Sequence, residues 1–300
     1  MQSVLVSAPA KINLALAVGA PRADGFHPLQ TVYQAVDLCD ELRATPSDDG
    51  EITLAISSGT TDGVPLDERN LAVRAARALR EHAGADVGVS LSLRKVIPVS
   101  GGMAGGSTDA AAALVACDAL WELGTPRDEL MGIAADLGSD VPFCLVGGTA
   151  LGSGRGEQVS PVLARGSYHW VLGCSDRGMS TPDVYAEHDR LAGADGSAPE
   201  VPQELMSALV SGDPEAVGAA LHNDLQDAAL SLRPELEAGL AIGVECGALG
   251  AVVSGSGPTL AFLASGPEHG LDLATALEGS RTCDDVVRAH GPVPGVRIVT

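Results

Sequence analysis

Lysine is nearly absent from this 300-residue chain, where Lys11 and Lys95 are its two examples. Lysine and arginine together number 18 against 39 aspartates and glutamates, which gives a formal net charge of -21. Such a charge repels nucleic acid and anionic membranes unless basic residues form a patch, and no run of Lys or Arg occurs. We therefore expect no nucleic-acid and no membrane partner, whereas a small anionic ligand bound by local donors remains compatible with the charge.

Long apolar runs and paired cysteine motifs are also lacking. No stretch reaches the roughly 18 consecutive apolar residues of a membrane span. We do not expect the segment from Lys11 to Ala20 to be a signal peptide, because Asn13 interrupts its short apolar run and apolar residues alternate there as in a strand. The six scattered cysteines include no Cys-x-x-Cys, which argues against zinc and for reduced thiols. We expect a cytoplasmic protein, as a monomer or weak homodimer.

Aromatic residues make up only 3% of the chain, so Phe26 in the turn-rich segment Asp24-Gly-Phe-His-Pro28 stands out. The ordinary interpretation is a Phe packed in the core beside an exposed His. The functional interpretation is a stacking platform for a flat ring, with His27 forming a hydrogen bond to it. The residues alone leave both open.

Glycine is abundant, and four of the glycines lie in Pro98-Val-Ser-Gly-Gly-Met-Ala-Gly-Gly-Ser-Thr-Asp109. This segment joins a strand predicted over 87–93 to an alanine-rich helix predicted to begin near Ala110. A glycine loop that leads into a helix N-terminus can bind phosphate, because free N–H groups and the positive end of the helix dipole converge there. The alternative is a flexible turn capped by Ser107 or Thr108. The spacing fits neither a Walker A loop nor a dinucleotide fingerprint.

Both lysines occupy suggestive positions, one within Ala-Pro-Ala-Lys11-Ile-Asn13 and one just before the glycine loop. A compact ammonium is not interchangeable with a guanidinium where it must meet a phosphate or a reacting hydroxyl, so both are candidate functional groups. Asp140 follows a helix predicted over 127–137. It is either an ordinary helix cap or a carboxylate that accepts a reacting proton.

Hydrophobic periodicity predicts strands and helices without strict alternation, which indicates an α+β arrangement of two layers. A glycine-rich stretch near 147–156 divides the chain into expected domains 1–156 and 157–300. Ser254-Gly-Ser-Gly-Pro258 is predicted to be a tight hairpin turn. The predicted strands are 4–6, 12–18 after a turn at 8–10, 29–36, 41–44, 51–56, 87–93, 168–174, 251–253, 259–263 and 295–299. The predicted helices are 70–84, 110–123, 127–137, 214–221, 234–246 and 271–277.

Three separated segments, Pro9-Ala-Lys-Ile-Asn13, Pro98–Asp109 and Ser254–Pro258, resemble in order and spacing the signature segments of the GHMP small-molecule kinase superfamily. Lys11-Ile-Asn-Leu14, Asp24-Gly-Phe-His27, Leu137-Gly-Ser-Asp-Val-Pro-Phe143 and His222-Asn-Asp-Leu225 resemble its branch that phosphorylates 4-diphosphocytidyl-2-C-methyl-D-erythritol in the non-mevalonate route to isoprenoids. The resemblance implies a two-domain α+β fold. An N-terminal α/β domain with a left-handed β-α-β crossover and a C-terminal ferredoxin-like α/β sandwich would enclose the site.

The resemblance also implies roles for individual residues. Asp140 would take the proton of the substrate's C2 hydroxyl, with Lys11 as its cationic neighbour. ATP would lie on the glycine loop, with Mg²⁺ at Ser107 or Thr108, directly or through water, and Lys95 and Asn70 at the adenine pocket. The implied loop contacts are Pro98, Val99, Ser100, Gly101, Gly102, Met103, Ala104, Gly105, Gly106, Ser107 and Thr108.

On the acceptor side, the resemblance places cytosine between Phe26 and Tyr185, with His27 at its edge and Asn13 at the erythritol or its phosphates. The chain departs from the usual family pattern at Ala104, where glycine is common, at Thr108, where serine is common, and at Phe26, where tyrosine is common. Two alternatives stay open: a GHMP kinase for another alcohol such as mevalonate or homoserine, and a non-catalytic nucleotide-binding module.

Overall fold

The computed structural model describes residues 3–23, 25–99, 101–192 and 198–299. The N-terminal half contains β1 (Val4–Val18), β2 (Leu29–Ser47), β3 (Ile52–Gly59), α1 (Leu71–Ala83), β4 (Gly88–Lys95), α2 (Gly105–Leu120), α3 (Arg127–Leu137), α4 (Val141–Val146), β5 (Thr149–Ser153) and β6 (Gln158–Pro161). The remainder contains β7 (Tyr168–Cys174), α5 (Thr181–Ala192), α6 (Gln203–Ser211), α7 (Pro214–Ala219), β8 (His222–Asn223), α8 (Gln226–Leu232), α9 (Glu235–Glu245), β9 (Gly250–Val253), β10 (Leu260–Ala264), α10 (Pro267–Ser280), β11 (Asp285–Gly291) and β12 (Arg297–Val299).

The first sheet is built around a long antiparallel ribbon of β1 and β2, within the strand order β12-β1-β2-β4-β3. β3 and β4 are parallel neighbours, and α1 connects them as a β-α-β crossover. Helices α1 and α2 cover one face through small side chains such as Ala75, Ala76 and Ala112, all fully buried. Small residues allow close helix packing, which holds the start of α2 against the sheet.

The second sheet has the strand order β11-β7-β10-β9 and is antiparallel throughout. Numbered along the chain, this order is 4-1-3-2, the arrangement of a ferredoxin-like sandwich. Helices α9 and α10 pack on it around Leu236, Phe262 and Leu273. The implied C-terminal sandwich is therefore confirmed.

A shared core joins the two sheets. Ile12 and Leu14 of β1 pack in one buried cluster with Tyr168 and Trp170 of β7. The Trp170 indole N–H donates to Gln34 Oε1 of β2 at 2.9 Å. Strands β6, β8 and β12 belong to the first sheet although they follow residue 156, so the division at 156/157 stays a prediction.

The predicted turn at residues 8–10 is wrong, because β1 runs unbroken through it. Pro9 is accommodated at a register shift between Pro9 and Ala10, where a missing N–H costs no regular ladder bond. The two strands predicted over 29–44 are likewise one strand, β2. Asp40 lies between the two predicted strands and is fully buried inside β2.

Helix α2 begins at Gly105, five residues before the predicted start. Ala104 immediately precedes it in the left-handed region, with φ 58° and ψ 29°. This conformation turns the chain from the glycine loop into the helix. Gly105, Gly106, Ser107 and Thr108 thereby become the first turn of α2. The Thr108 N–H donates to the Ala104 carbonyl at 2.9 Å, whereas the N–H groups of the three residues before it have no partner within the helix.

We expect Ala104→Gly to raise the free energy of unfolding by about 0.5 to 1 kcal/mol. A left-handed backbone costs a residue with a Cβ about 1–2 kcal/mol, which the greater freedom of glycine in the unfolded chain partly offsets. Gly84→Ala is the matched control, because Gly84 has φ 59° and ψ 28° at the end of α1 and an added Cβ there meets no atom within 4 Å. It should lower stability. Urea unfolding at constant m-value measures both, and a destabilised Ala104→Gly variant contradicts the account.

Candidate active site

One cavity of about 900 Å³ collects the separated sequence motifs. Lys11 and Asn13 of β1, the loop around Phe26 and the start of α2 all line it. Asp140 and Tyr185 complete the wall from α4 and α5. Residues distant in sequence therefore share one ligand-sized space, as an active site requires.

The Lys11 side chain is 5% exposed, and its ammonium faces three oxygen groups. Nζ donates to Asn13 Oδ1 at 2.7 Å and to the Gly102 carbonyl at 2.9 Å, and it lies 3.7 Å from Asp140 Oδ2. Asn13 is held in turn by a 2.7 Å bond from its Nδ2 to Thr31 Oγ1. One fixed ammonium thus links β1, the glycine loop and Asp140.

Asp140 stands at the N-cap position of α4 but makes no side-chain cap hydrogen bond. Its carboxylate instead accepts the Tyr33 hydroxyl on Oδ1 at 3.0 Å and points Oδ2 toward Lys11. Burial, and then the neighbouring Asp140, raises the pKa of Tyr33 well above its usual value, so the phenol stays protonated and donates. With 31% of the side chain exposed to the cavity, Asp140 remains accessible to a reacting hydroxyl.

The glycine loop is braced by the 254–258 turn between β9 and β10. Gly102 has φ 75°, and a Cβ there would lie 2.4 Å from the Ser254 carbonyl oxygen, so a larger residue would displace the turn. The Ser254 hydroxyl donates to the Gly102 carbonyl at 3.3 Å. Asn223 supports the turn through 2.7 and 2.8 Å bonds to the Val253 and Gly255 carbonyls. The predicted hairpin therefore also positions the loop.

The structure reverses the ordinary interpretation of the Phe26 segment, because Phe26 is 50% exposed and His27 is buried. His27 Nδ1–H donates to the Gly19 carbonyl at 2.9 Å, and Nε2 lies 3.5 Å from Asp189. The centroids of the Tyr185 and His27 rings lie 5.0 Å apart. Burial raises the pKa of Tyr185 to about 12. Two aromatic rings and an imidazole thus line one end of the cavity.

Comparison with known proteins assigns the chain to a family. The models of the GHMP kinases N terminal domain and the GHMP kinases C terminal match residues 70–148 and 205–280. The chain is 54% identical over 303 residues to a 4-diphosphocytidyl-2-C-methyl-D-erythritol kinase of Thermobifida fusca, covering 99% of this chain and 98% of that one. The chain belongs to the GHMP kinase family. This confirms the family and the two-domain fold expected from the sequence.

Other relatives agree with this GHMP kinase assignment. A 4-diphosphocytidyl-2-C-methyl-D-erythritol kinase of Streptomyces coelicolor is 52% identical over 298 residues, covering 99% of both chains. A crystal structure of 4-(cytidine 5'-diphospho)-2C-methyl-D-erythritol kinase superimposes with a TM-score of 0.77 at 32% identity, covering 96% of this chain and 98% of that one. A homoserine kinase from Cytophaga hutchinsonii shares the fold, with a TM-score of 0.76 at 20% identity. The superposition covers 100% of this chain and 98% of that one.

The loop residues of this GHMP kinase divide into two groups. Gly101, Gly102, Ala104, Gly105, Gly106 and Ser107 line the cavity, whereas Pro98, Val99, Met103 and Thr108 are absent from its wall. Thr108 is fully buried and its hydroxyl donates to the Pro9 carbonyl at 2.8 Å, which leaves Ser107 as the hydroxyl on the cavity side. Ser100 lies outside the described residues.

The structure does not bring Lys95 or Asn70 into the cavity wall. Asn70 caps α1, because Oδ1 accepts the Ala72 N–H at 2.8 Å and Nδ2 donates to the Pro65 carbonyl at 2.8 Å. Lys95 is buried between Asp40 and Asp109. Burial, opposed by the Lys95 ammonium, raises the pKa of Asp109 above its usual value.

Tyr33 and Arg155 are among the cavity residues that the sequence alone did not indicate. Tyr33 lies directly opposite Asn13 in the β1–β2 ladder, and the period-two pattern of both strands was the signal that could have paired them. Arg155 lies on the turn between β5 and β6 with its guanidinium 5.0 Å from the Phe26 ring centroid. Its glycine-flanked setting, Gly154-Arg-Gly156, was the available signal.

Carboxylates do not form a metal centre in the part of the chain that the structure describes. No group of three or more His, Cys, Asp or Glu residues there is placed to hold an ion. Across the same described residues, no helix combines the length and apolarity needed to cross a membrane.

Proposed function

We propose that this GHMP kinase transfers the γ-phosphoryl group of ATP to the C2 hydroxyl of 4-diphosphocytidyl-2-C-methyl-D-erythritol, in the non-mevalonate route to isoprenoid precursors. The observation that carries the proposal is the position of the Lys11–Asp140 pair within one cavity, whose wall also contains the glycine loop and the pocket of Phe26, His27 and Tyr185. The relatives named above, at 52% and 54% identity, support the same reaction. A kinase for mevalonate or homoserine has no use for two aromatic rings there.

Asp140 acts as the general base. It takes the proton of the C2 hydroxyl while that oxygen bonds to the γ-phosphorus, and the bond from the γ-phosphorus to the bridging oxygen breaks to release ADP. The Tyr33 hydrogen bond and the Lys11 ammonium hold the carboxylate in place, and Lys11 also stabilises negative charge on the attacking oxygen.

ATP binds with its phosphates at the N-terminus of α2. The free N–H groups of the first turn and the positive end of the helix dipole meet the phosphate oxygens. Ser107 is the residue that would hold Mg²⁺, since its hydroxyl is on the cavity side while that of Thr108 is already bonded. The ion would supply charge neutralisation on the phosphates, and no carboxylate cluster among the described residues competes for it.

Recognition of the acceptor combines stacking with charge. Phe26 and Tyr185 would supply faces for cytosine and His27 would read its edge, while Asn13, on the same cavity wall, would contact the erythritol or its phosphates. Within the described residues, Lys11 and Arg155 are the two Lys or Arg side chains on the cavity wall. Because Lys11 is engaged with Asp140, Arg155 is the cation that remains to face the diphosphate.

Phe26→Ala should raise KM for the cytidine substrate about tenfold while kcat and KM for ATP stay within about twofold. Stacking of one base on an aromatic side chain contributes about 1–3 kcal/mol by alanine substitution. Phe26→Tyr is the matched control, since it keeps the ring and should preserve KM. Steady-state kinetics with each substrate varied in turn measures the effect, and an unchanged KM in Phe26→Ala removes the stacking role.

The position of the new phosphate tests the reaction itself. Purified protein, Mg²⁺-ATP and the cytidine substrate should give ADP and one new phosphomonoester, with the diphosphate intact. C2 is a tertiary carbon, so the new phosphorus-31 signal should show no three-bond coupling to a carbinol proton. A coupled signal would place the phosphate on a primary or secondary hydroxyl and contradict the proposal. No product at all would favour a non-catalytic nucleotide-binding module.

A further inference from the structure

Three buried ionisable side chains lie next to the glycine loop and outside the cavity wall. The Lys95 ammonium, at the end of β4, pairs with Asp40 of β2 and, at 2.8 Å, with Asp109 of α2. Exposed side-chain fractions are 3% for Lys95, 0% for Asp40 and 4% for Asp109. We call these three residues the loop-anchor network.

The loop-anchor network contacts the chain at both ends of the glycine loop. Asp40 Oδ1 accepts the Val96 N–H at 2.6 Å and the Ile97 N–H at 2.9 Å, where the chain leaves β4 and enters the loop. Asp109 belongs to α2, one helical turn beyond Gly105, where the loop has become helix. Lys95 joins the two carboxylates, so a continuous line of polar contacts connects the entry of the loop to its exit.

The Lys95 ammonium also packs against Gly105, the first residue of α2. A Cβ built on Gly105 would lie 2.9 Å from Lys95 Nζ and 3.2 Å from Ile97 Cγ2. The side chain of Lys95 therefore fills the space that a larger residue would need at the first position of α2. We therefore expect a displacement of this ammonium to alter the packing at Gly105, the first residue of α2.

Two carboxyl groups around a single buried ammonium form a costly structural element, and Asp109 Oδ1 has no hydrogen-bond partner among the described residues. Well-packed apolar side chains would fill this volume without the desolvation cost. The polar network instead fixes the orientation of the groups that it joins, because its short hydrogen bonds and ion pairs form only within a narrow range of distances and angles. Phosphoryl transfer depends on such positioning of phosphate-binding groups.

We propose that Lys95, Asp40 and Asp109 are positioning residues that set the geometry of the phosphate loop, and that Lys95 acts on ATP through the loop without contacting the adenine. The proposal rests on ATP being the phosphoryl donor, as argued above. It changes the role implied for Lys95 by the family resemblance. The network then determines affinity for the phosphates and leaves the nucleoside contacts alone.

Calorimetric titration with ADP and with adenosine tests the proposal on Lys95→Met, Asp40→Asn and Asp109→Asn. All three variants should bind ADP at least about tenfold more weakly, while the adenosine affinity stays within about twofold of wild type. KM for ATP should rise and KM for the acceptor should not. Leu79→Ala, at a buried position of α1 away from the loop, is the control: it should lower the melting temperature and leave ADP affinity unchanged.

Three results would overturn the proposal. Equal loss of ADP and adenosine affinity in Lys95→Met would mean that Lys95 contacts the nucleoside. If Lys95→Met loses ADP affinity while Asp40→Asn and Asp109→Asn bind ADP normally, the three residues do not act as a unit. Lower melting temperatures with unchanged ADP affinity would reduce it to a structural role. If Lys95→Met does not fold, Asp109→Asn decides, and ADP binding is measurable whichever acceptor alcohol the enzyme uses.

Discussion

Asp140→Asn should lower kcat by at least about 10²-fold, the usual contribution of a positioned general base, while ADP affinity and the melting temperature stay near wild type. The amide keeps the shape of the carboxylate and still accepts the Tyr33 hydroxyl, but it cannot take a proton from the acceptor. The loss therefore isolates proton transfer from positioning. Single-turnover kinetics with saturating ATP and acceptor measures the chemical step.

Asp128→Asn is the matched control for this variant. Asp128 is exposed in the first turn of α3, outside the cavity wall, and its substitution changes the net charge equally. It should retain wild-type kcat. A nearly wild-type rate in Asp140→Asn would remove Asp140 from the proton transfer and leave phosphate positioning as the source of catalysis.

Lys11→Met should lower kcat by about 10² to 10³-fold, the range measured when one preorganised donor to a developing negative charge is removed. It should also raise KM for ATP, because the 2.9 Å bond that holds the Gly102 carbonyl disappears. Methionine preserves the length and apolar volume of the stem, so the effect reports the ammonium. Steady-state kinetics and ADP titration separate the two losses.

Lys11→Arg should recover little of this activity, because a planar guanidinium cannot reproduce the contacts of a compact ammonium with Asn13, Gly102 and Asp140. Arg94→Gln, an exposed cation of β4 outside the cavity, controls for net charge and should behave as wild type. A Lys11→Met enzyme with normal kcat would show that transition-state charge is stabilised elsewhere.

The candidate site was largely predictable because its signals are local. Lys11, Asp140 and the glycine loop each lie in short segments whose residue types already indicate their chemistry. Tyr33 was not predictable in this way, because its contact with Asp140 joins residues 107 positions apart. Arg155 escaped for the same reason, since its neighbour Phe26 lies on a distant loop.

The fold was predicted well in class and less well in detail, wherever a long-range contact outweighs a local preference. Pro9 indicates a turn, yet pairing with β2 on both sides keeps β1 continuous. Residues 37–40 were predicted to separate two strands, yet Asp40 is buried within β2, where it pairs with Lys95, 55 residues away. The position of Lys95 near the loop was correctly noticed, but its two aspartate partners could not be seen in the sequence.

The most direct test of the central claim is ADP release by the purified protein with Mg²⁺-ATP and one of three acceptors, against a reaction without acceptor. We expect turnover with 4-diphosphocytidyl-2-C-methyl-D-erythritol and only background release with mevalonate, homoserine or no acceptor. Turnover with mevalonate or homoserine in place of the cytidine substrate would contradict the assignment of the Phe26, His27 and Tyr185 pocket to cytosine.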